Sequence, residues 1–401
     1  MKLKYFIFLL STQVFILNLY SQDIIKERNT VEIKPRVTDS IKCFPIYSSP
    51  NIVKDFSTKG SAGSSPKYNS YTNEIVMLSS TGEFSFYNLQ GDRLAKYDEF
   101  HGFISADPAV LSDGTVVFGD SLGELYILDK DHKLKYRIPT GGRIDGNVVR
   151  LLDNSFMVGN DIGKIVHYSE FGILKNTFFS YGKTHDTKNK GVGEGICLND
   201  TLVAFSGKDS YLLLINLNTN EVKYVKLDGP QNNVPAIDKS DNSFYIGTGS
   251  GTIYKISYQG DILKRLNMSN EPIYGSIVFD DKTKTVFVVT IEGSIVFLDN
   301  QLNIKSQKKI SDKIYATPII MENGLFVIGG EDKKMHFFKS SGELVFEINI
   351  DGCNQAQPLI LPNGQIIFTT FNGDGKRGKN IFMEPPKIIG YQTADGQPCN
   401  K

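Results

Sequence analysis

Between its first sixty residues and its end, this chain repeats itself. Residues 105–142 read SADPAVLSDGTVVFGDSLGELYILDKDHKLKYRIPTGG, and residues 315–352 read YATPIIMENGLFVIGGEDKKMHFFKSSGELVFEINIDG. A third copy, residues 232–270, reads NNVPAIDKSDNSFYIGTGSGTIYKISYQGDILKRLNMSN. Each begins on a small residue or Pro, followed by an apolar stretch, a turn, and a second stretch ending near Gly. Then come Gly-x-Ile/Leu-aromatic, an Asn/Asp/Gly turn and a more polar fourth stretch. Aligned on Pro66, Pro108, Asn147, Gly195, Pro235, Ser276, Pro318 and Pro358, the copies lie 42, 39, 48, 40, 41, 42 and 40 residues apart. Self-similarity at a fixed period constrains a fold more tightly than any local propensity.

A period of about 40–45 residues with four strands per copy is that of a propeller blade. Apolar and polar residues alternate in Gly123-Glu-Leu-Tyr-Ile-Leu and Gly251-Thr-Ile-Tyr-Lys-Ile, as strands packed between neighbours require. A lone four-stranded sheet cannot hide both faces, whereas copies stacked in a ring bury them and leave only short edges. The expected fold is therefore all-β: an eight-bladed β-propeller of four-stranded antiparallel blades spanning residues 51–401. The last copy is incomplete. Its strands are expected at residues 356–361, 365–371 and, after an insertion at 372–387, at 387–393. The missing fourth strand has a counterpart upstream, because residues 51–66 match 342–358 in pattern. Residues 52–57 are thus expected to close the ring, which would bring Cys43 near Cys399.

The first 22 residues are of another kind. Lys2 and Lys4 precede two apolar runs, too short and too interrupted for a spanning helix of about 20 residues but suited to a signal peptide. Residues 23–50 then form a lead-in segment. No Cys precedes Cys43, so an acylated N-terminus has no support. Lys plus Arg and Asp plus Glu both total 44, which gives no electrostatic case for nucleic acid or an anionic membrane. Of the four cysteines, Cys197 falls in an apolar strand and is expected as a free thiol. Cys43–Cys399 and Cys353–Cys399 are the competing disulfides. With no CxxC and no HxH or HExxH among the five His, neither a metal site nor a cofactor is expected.

The third-to-fourth strand segments GELYILDKDHKLKYRI, GTIYKISYQGDILKRL and GSIVFLDNQLNIKS resemble the pyrroloquinoline-quinone-like propeller repeat, from about residue 60 onward. Quinone dehydrogenases of that repeat class stack their cofactor between a Trp and a disulfide of adjacent cysteines, beside a calcium or lanthanide ion. This chain has no Trp and no adjacent cysteines. The resemblance is therefore nearer to the non-catalytic eight-bladed lipoprotein of outer-membrane β-barrel assembly, with one departure: the lipobox cysteine is lacking.

In a propeller the residues leading into the innermost strands line a central channel. Those just before the aligned positions are Ser65, Asp107, Gly146, Glu194, Val234, Gly275, Thr317 and Gln357. Asp107, Asp145, Glu194, Thr317 and Gln357 are the channel candidates. The three acids come from adjacent blades and would suit a hard cation, or acid–base chemistry in a funnel. The competing reading is that acids beside turns satisfy backbone N–H groups. Two loops are candidate partner contacts: residues 181–194, with His185, and residues 372–387, with Lys376, Arg377, Lys379, Phe382 and Met383. The function expected is an exported, non-catalytic scaffold presenting loops to a protein or carbohydrate of the cell envelope. Its place would be the periplasm, the outer-membrane periphery or the exterior. The alternative is a carbohydrate lyase or hydrolase with its site in the funnel.

Overall fold

The computed structural model describes residues 42–59, 64–97, 100, 102, 106–180, 191–268, 271–275, 277–371 and 377–399. Residues 1–22, expected from sequence to be a signal peptide, and His185 lie outside them. Every regular element among the described residues is a strand, and the strands form eight four-stranded antiparallel sheets and one two-stranded sheet. The fold is an eight-bladed β-propeller. Seven blades are sequential meanders. Blade 1, for example, comprises Lys67–Asn69, Glu74–Leu78, Phe84–Tyr87 and Arg93–Tyr97.

The eighth blade closes the ring. Leu359–Ile360, Ile366–Phe371 and Arg377–Glu384 are joined on the outside by Asn51–Lys59 from the start of the chain. The third strand therefore lies at Arg377–Glu384 and not at 387–393. The apolar run Ile381-Phe382-Met383 is the reason. Ile381 and Met383 pack among residues of blade 7, Phe382 packs against blade 1, and all three are buried. A short continuous apolar run bounded by turns suits a strand covered on both faces. The expected loop contacts Phe382 and Met383 are thus core residues. Ile388–Gln392 pairs instead with Phe44–Tyr47.

The burial pattern follows the four-strand order. The two middle strands are buried on both faces, as in Val116–Gly119 and Phe326–Gly329, because each blade is covered by its neighbours. The outermost strands are exposed and most carry Lys or Arg: Arg93–Tyr97, Leu134–Pro139, Ile262–Asn267 and Ile304–Lys309. Charge on an open edge opposes pairing with another chain.

Blades are held together without Trp. The turn between third and fourth strands needs a residue at positive φ, and that turn leans on the preceding blade. Gly91 (φ 79°) and Gly172 (φ 74°) serve there, where an added Cβ would meet Phe382 at 2.9 Å and Ile127 at 2.9 Å. In blade 2 the position is His132, at φ 66°. Its ring stacks on Phe86 of blade 1 with centroids 3.7 Å apart, and Nε2 lies 2.8 Å from the Glu74 carboxylate. In blade 6 the turn carbonyl of Asn300 accepts from Tyr245 Oη (3.1 Å) and Lys255 Nζ (3.4 Å) of blade 5. Ring closure repeats the theme, with Lys54 donating to the Gln90 carbonyl and to Asp92, and Phe56 packed against Tyr87 and Phe382.

Two polar clusters are built into the blades. Lys255 is 2% exposed and pairs with Asp241 (2.6 Å) and with fully buried Asp238 (3.5 Å). In blade 3, Ser155 Oγ lies 2.5 Å from Asp153 and 2.8 Å from Nε2 of buried His167. Burial, with the Lys175 ammonium adding to it and Asp153 opposing, pushes the His167 pKa down to about 4.

By contact the chain divides into two compact units, residues 45–390 and the paired ends. In the second unit Cys43 and Cys399 form a disulfide, and the Cys399 N–H donates to the Tyr391 carbonyl. Cys197 and Cys353 are free thiols.

Candidate functional site

Strand direction alternates within a blade. First-to-second and third-to-fourth turns therefore lie on one face of the ring. Second-to-third turns and blade-to-blade connections lie on the other, the connection face. The connections lead into the short innermost strands, and two successive side-chain levels are set by counting back from them.

Two residues before the inner strand stand Ser65, Asp107, Asn147, Val234, Thr317 and Gln357. In blade 3 this position is Asn147, not Gly146, and in blade 6 it is residue 276, not Gly275. A one-residue offset there is invisible in sequence because the preceding connection varies. This level forms a belt. The Gln357 N–H donates to Ser65 Oγ (3.1 Å), and the Ser65 N–H donates to Asp107 Oδ1 (2.6 Å). Lys67 Nζ pairs with Asp107 Oδ2 at 2.9 Å, and the Val148 N–H donates to the Asp107 carbonyl. Asn147 exchanges two hydrogen bonds with the Gly195 backbone, at 2.8 and 2.9 Å. Asp107 thus holds neighbouring blades in register.

Four residues before the inner strand, blades 5 to 8 carry Asn232, Tyr274, Tyr315 and Gln355. All four line the channel, and both tyrosines are 37% exposed. Among the described residues none of these four side chains hydrogen-bonds within the chain. In the same position of blade 3 stands Asp145, which pairs with Arg143 (2.7 Å) and Lys208 (3.3 Å). Those two cations draw it away, so Asp145, expected in the channel, does not line the cavity.

The cavity has a volume of about 570 Å³ and includes Asp107, Glu194, Thr317 and Gln357 in its lining. The charged residues of that lining, Lys67, Asp107, Arg150 and Glu194, all come from blades 1 to 4. A second cavity of about 450 Å³ shares Ile196, Ile277, Val278 and Gln357 with the first and has no charged residue in its lining. Cys197 lines the first cavity, and burial pushes its thiol pKa up. Among the described residues no three His, Cys, Asp or Glu side chains gather as metal ligands.

Sequence reading missed Tyr274, Tyr315, Asn232 and Gln355, because it examined one position before the aligned residue. Counting four back from each inner strand would have found them. Of the loop candidates, Lys379 lies in a strand and pairs with Asp55 (3.0 Å) and Asp351 (2.7 Å). Arg377 begins that strand, and Lys376 and His185 fall outside the described residues.

No protein-family model matches the chain, and no curated protein matches it in sequence. Among solved structures it is similar to BamB from Moraxella catarrhalis, with a TM-score of 0.67 and 14% identity over 83% of this chain and 99% of that one. It is also similar to the Dos1 propeller, with a TM-score of 0.69 and 12% identity over 88% of this chain and 98% of that one. The likeness is one of fold. Among the described residues no helix is long and apolar enough to cross a membrane.

Proposed function

We propose that this chain is an exported, non-catalytic scaffold whose connection face binds a protein of the cell envelope. The observation that carries the reading is the contrast between the two levels at the channel mouth. The belt residues are engaged in holding blades together. Among the described residues the side chains of the arc Asn232, Tyr274, Tyr315 and Gln355 make no hydrogen bond within the chain, yet they are carried on the ring beside the belt. Tyrosine and amide side chains supply large contact area and adaptable hydrogen bonds at little entropic cost, and Tyr is enriched in protein interfaces.

Export is supported by the N-terminal sequence and by the Cys43–Cys399 disulfide, which suits an oxidising compartment. The fold neighbour BamB and the resemblance of the repeats to an outer-membrane assembly scaffold point the same way. The periplasm or the outer-membrane periphery is the place this predicts.

The test is site-specific photocrosslinking in the exporting cell. A benzophenone amino acid replaces Tyr274 or Tyr315 and, as a control, Lys308 on an outermost strand. The reading expects a discrete protein adduct from the two mouth positions and none from the control. Equal adducts at all three positions, or none at any, would overturn it.

A further inference from the structure

The channel has two unlike walls. Blades 1 to 4 present Lys67, Asp107, Arg150 and Glu194, charges of both signs. Among the described residues, blades 5 to 8 line the channel with uncharged groups only: the tyrosine and amide arc at the mouth and, around the second cavity, Ile237, Phe279, Ile319, Ile320, Leu359 and Ile360. The two cavities meet at Ile196, Ile277, Val278 and Gln357, so the division runs along both.

From this we infer that the channel takes an extended peptide segment of the partner, with apolar and charged side chains in alternation. The inference rests on the protein-binding reading above and adds the chemistry of what is bound. An extended chain sends successive side chains to opposite sides, so one such segment faces both walls at once. A helix 10–12 Å across would fill about 570 Å³ in roughly one turn. An acyl chain would desolvate the Arg150 guanidinium without supplying a counter-charge, which is costly. A small neutral sugar would engage the arc and leave the apolar half empty. The free amides and hydroxyls of the arc donate and accept, as the peptide backbone requires.

Charge complementarity selects the partner further. Arg150 is exposed, with one guanidinium hydrogen bond to the Val110 carbonyl (3.1 Å), and stands on the same wall as the Glu194 carboxylate. A segment bearing an acidic residue toward Arg150 fits this wall. Apolar residues next to it in sequence would turn to blades 5 to 8.

The test uses the intact chain and linear dodecapeptides displayed on phage. Peptides that bind are expected to alternate apolar and charged residues. Their occupancy is expected to slow N-ethylmaleimide modification of Cys197, which lines the channel, while leaving Cys353, which does not, at its original rate. Ile360→Lys and Arg150→Glu, each checked for an unchanged melting temperature, are expected to weaken binding about tenfold or more. The Cys197 readout needs no variant, so a folding failure cannot mask the result. Selected peptides without alternation, or binding that leaves Cys197 modification unchanged, overturn the inference. If crosslinks form at Tyr274 while Cys197 stays open, the channel inference falls and the scaffold reading stands. If crosslinks fail at both mouth positions, the scaffold reading itself falls.

Discussion

His167 offers the sharpest test of the electrostatics inside a blade. It is 7% exposed, its Nε2 is hydrogen-bonded to Ser155 Oγ, and its pKa lies near 4 against 6.5 for an ordinary imidazole. In the unfolded chain the ring takes its proton first as pH falls. Stability contributed by the neutral ring is therefore complete above about pH 6.5 and is lost between there and pH 4. Each unit of separation is worth about 1.4 kcal/mol, so lowering pH from 7 to 4 costs about 3 kcal/mol through this residue. For an unfolding unit of about 350 residues that corresponds to roughly 4 °C in Tm. The perturbation is His167→Gln, which keeps a nitrogen donor for Ser155 but cannot be protonated. The assay is thermal unfolding by circular dichroism at pH 7, 5.5 and 4, at matched scan rate and salt. Carboxylates that titrate in the same window remain in both proteins, so the difference between them isolates the histidine. The wild type is expected to lose about 4 °C more than the variant by pH 4. Parallel curves would refute the claim that His167 is held neutral by its surroundings.

Other consequences can be measured in the same way. Lys255→Met leaves the fully buried Asp238 carboxylate uncompensated and should cost about 3–5 kcal/mol in urea unfolding, much of it recovered in the double variant with Asp238→Asn. Phe56 is half-buried between Tyr87 and Phe382, so Phe56→Ala should cost about 2 kcal/mol, below the roughly 3–5 of a fully buried Phe. Hydrogen exchange should rise first in Asn51–Lys59 and Arg377–Glu384 in that variant. Gly293→Ala would drive a Cβ to 1.8 Å from the Ser311 carbonyl oxygen at φ +85°, and a fall in expression and Tm well beyond an ordinary Gly→Ala change is expected. Replacing Cys43 and Cys399 with Ser should lower stability by about 2–4 kcal/mol in the oxidised protein and change nothing under reducing conditions.

The ring was legible because its determinants are periodic. A buried middle strand needs apolar residues on both faces in every blade, and the turn before each fourth strand needs a residue that tolerates positive φ. Those two demands recur as Gly-x-Ile/Leu-aromatic and as Gly91, Gly172, Gly260 and Gly342. Even the closing strand at 52–57 could be found, since it must satisfy the same pattern as the outermost strand of blade 7. The third strand of blade 8 was misplaced for a physical reason. Lys379-Asn380 and Glu384-Pro385-Pro386 give its apolar core the look of a loop, and only the neighbouring blades on both sides reveal Ile381-Phe382-Met383 as a buried strand. The channel was legible in part. Asp107, Glu194, Thr317 and Gln357 were placed by counting, whereas Asp145 was lost to Arg143 and Lys208, which no periodicity encodes.

What varies between blades is more telling than what repeats. Core positions converge on Val, Ile, Leu and Phe because every blade must satisfy the same neighbours. The position four residues before the inner strand answers to no such common demand: in blade 3 Asp145 pairs with Arg143 and Lys208, whereas in blades 5 to 8, among the described residues, its side chain makes no hydrogen bond. A repeat under packing demands alone would let that position drift toward any small polar residue. Here it reads Asn, Tyr, Tyr and Gln on four consecutive blades, beside an uncharged wall and across from a charged one. Two tyrosines held 37% exposed at the mouth of a channel keep apolar ring surface in water, and packing within the chain gives no return for it. That surface gains by being covered, and the asymmetry of the channel behind it tells which side of a partner covers it. The double variant Tyr274→Ser with Tyr315→Ser should therefore keep a cooperative melting transition, each change costing well below the roughly 3–5 kcal/mol of truncating a fully buried aromatic. The same variant should abolish the crosslinks and peptide binding that the channel mouth supports. A large loss of stability would place the tyrosines in the architecture of the ring, and the argument from their exposure would fail.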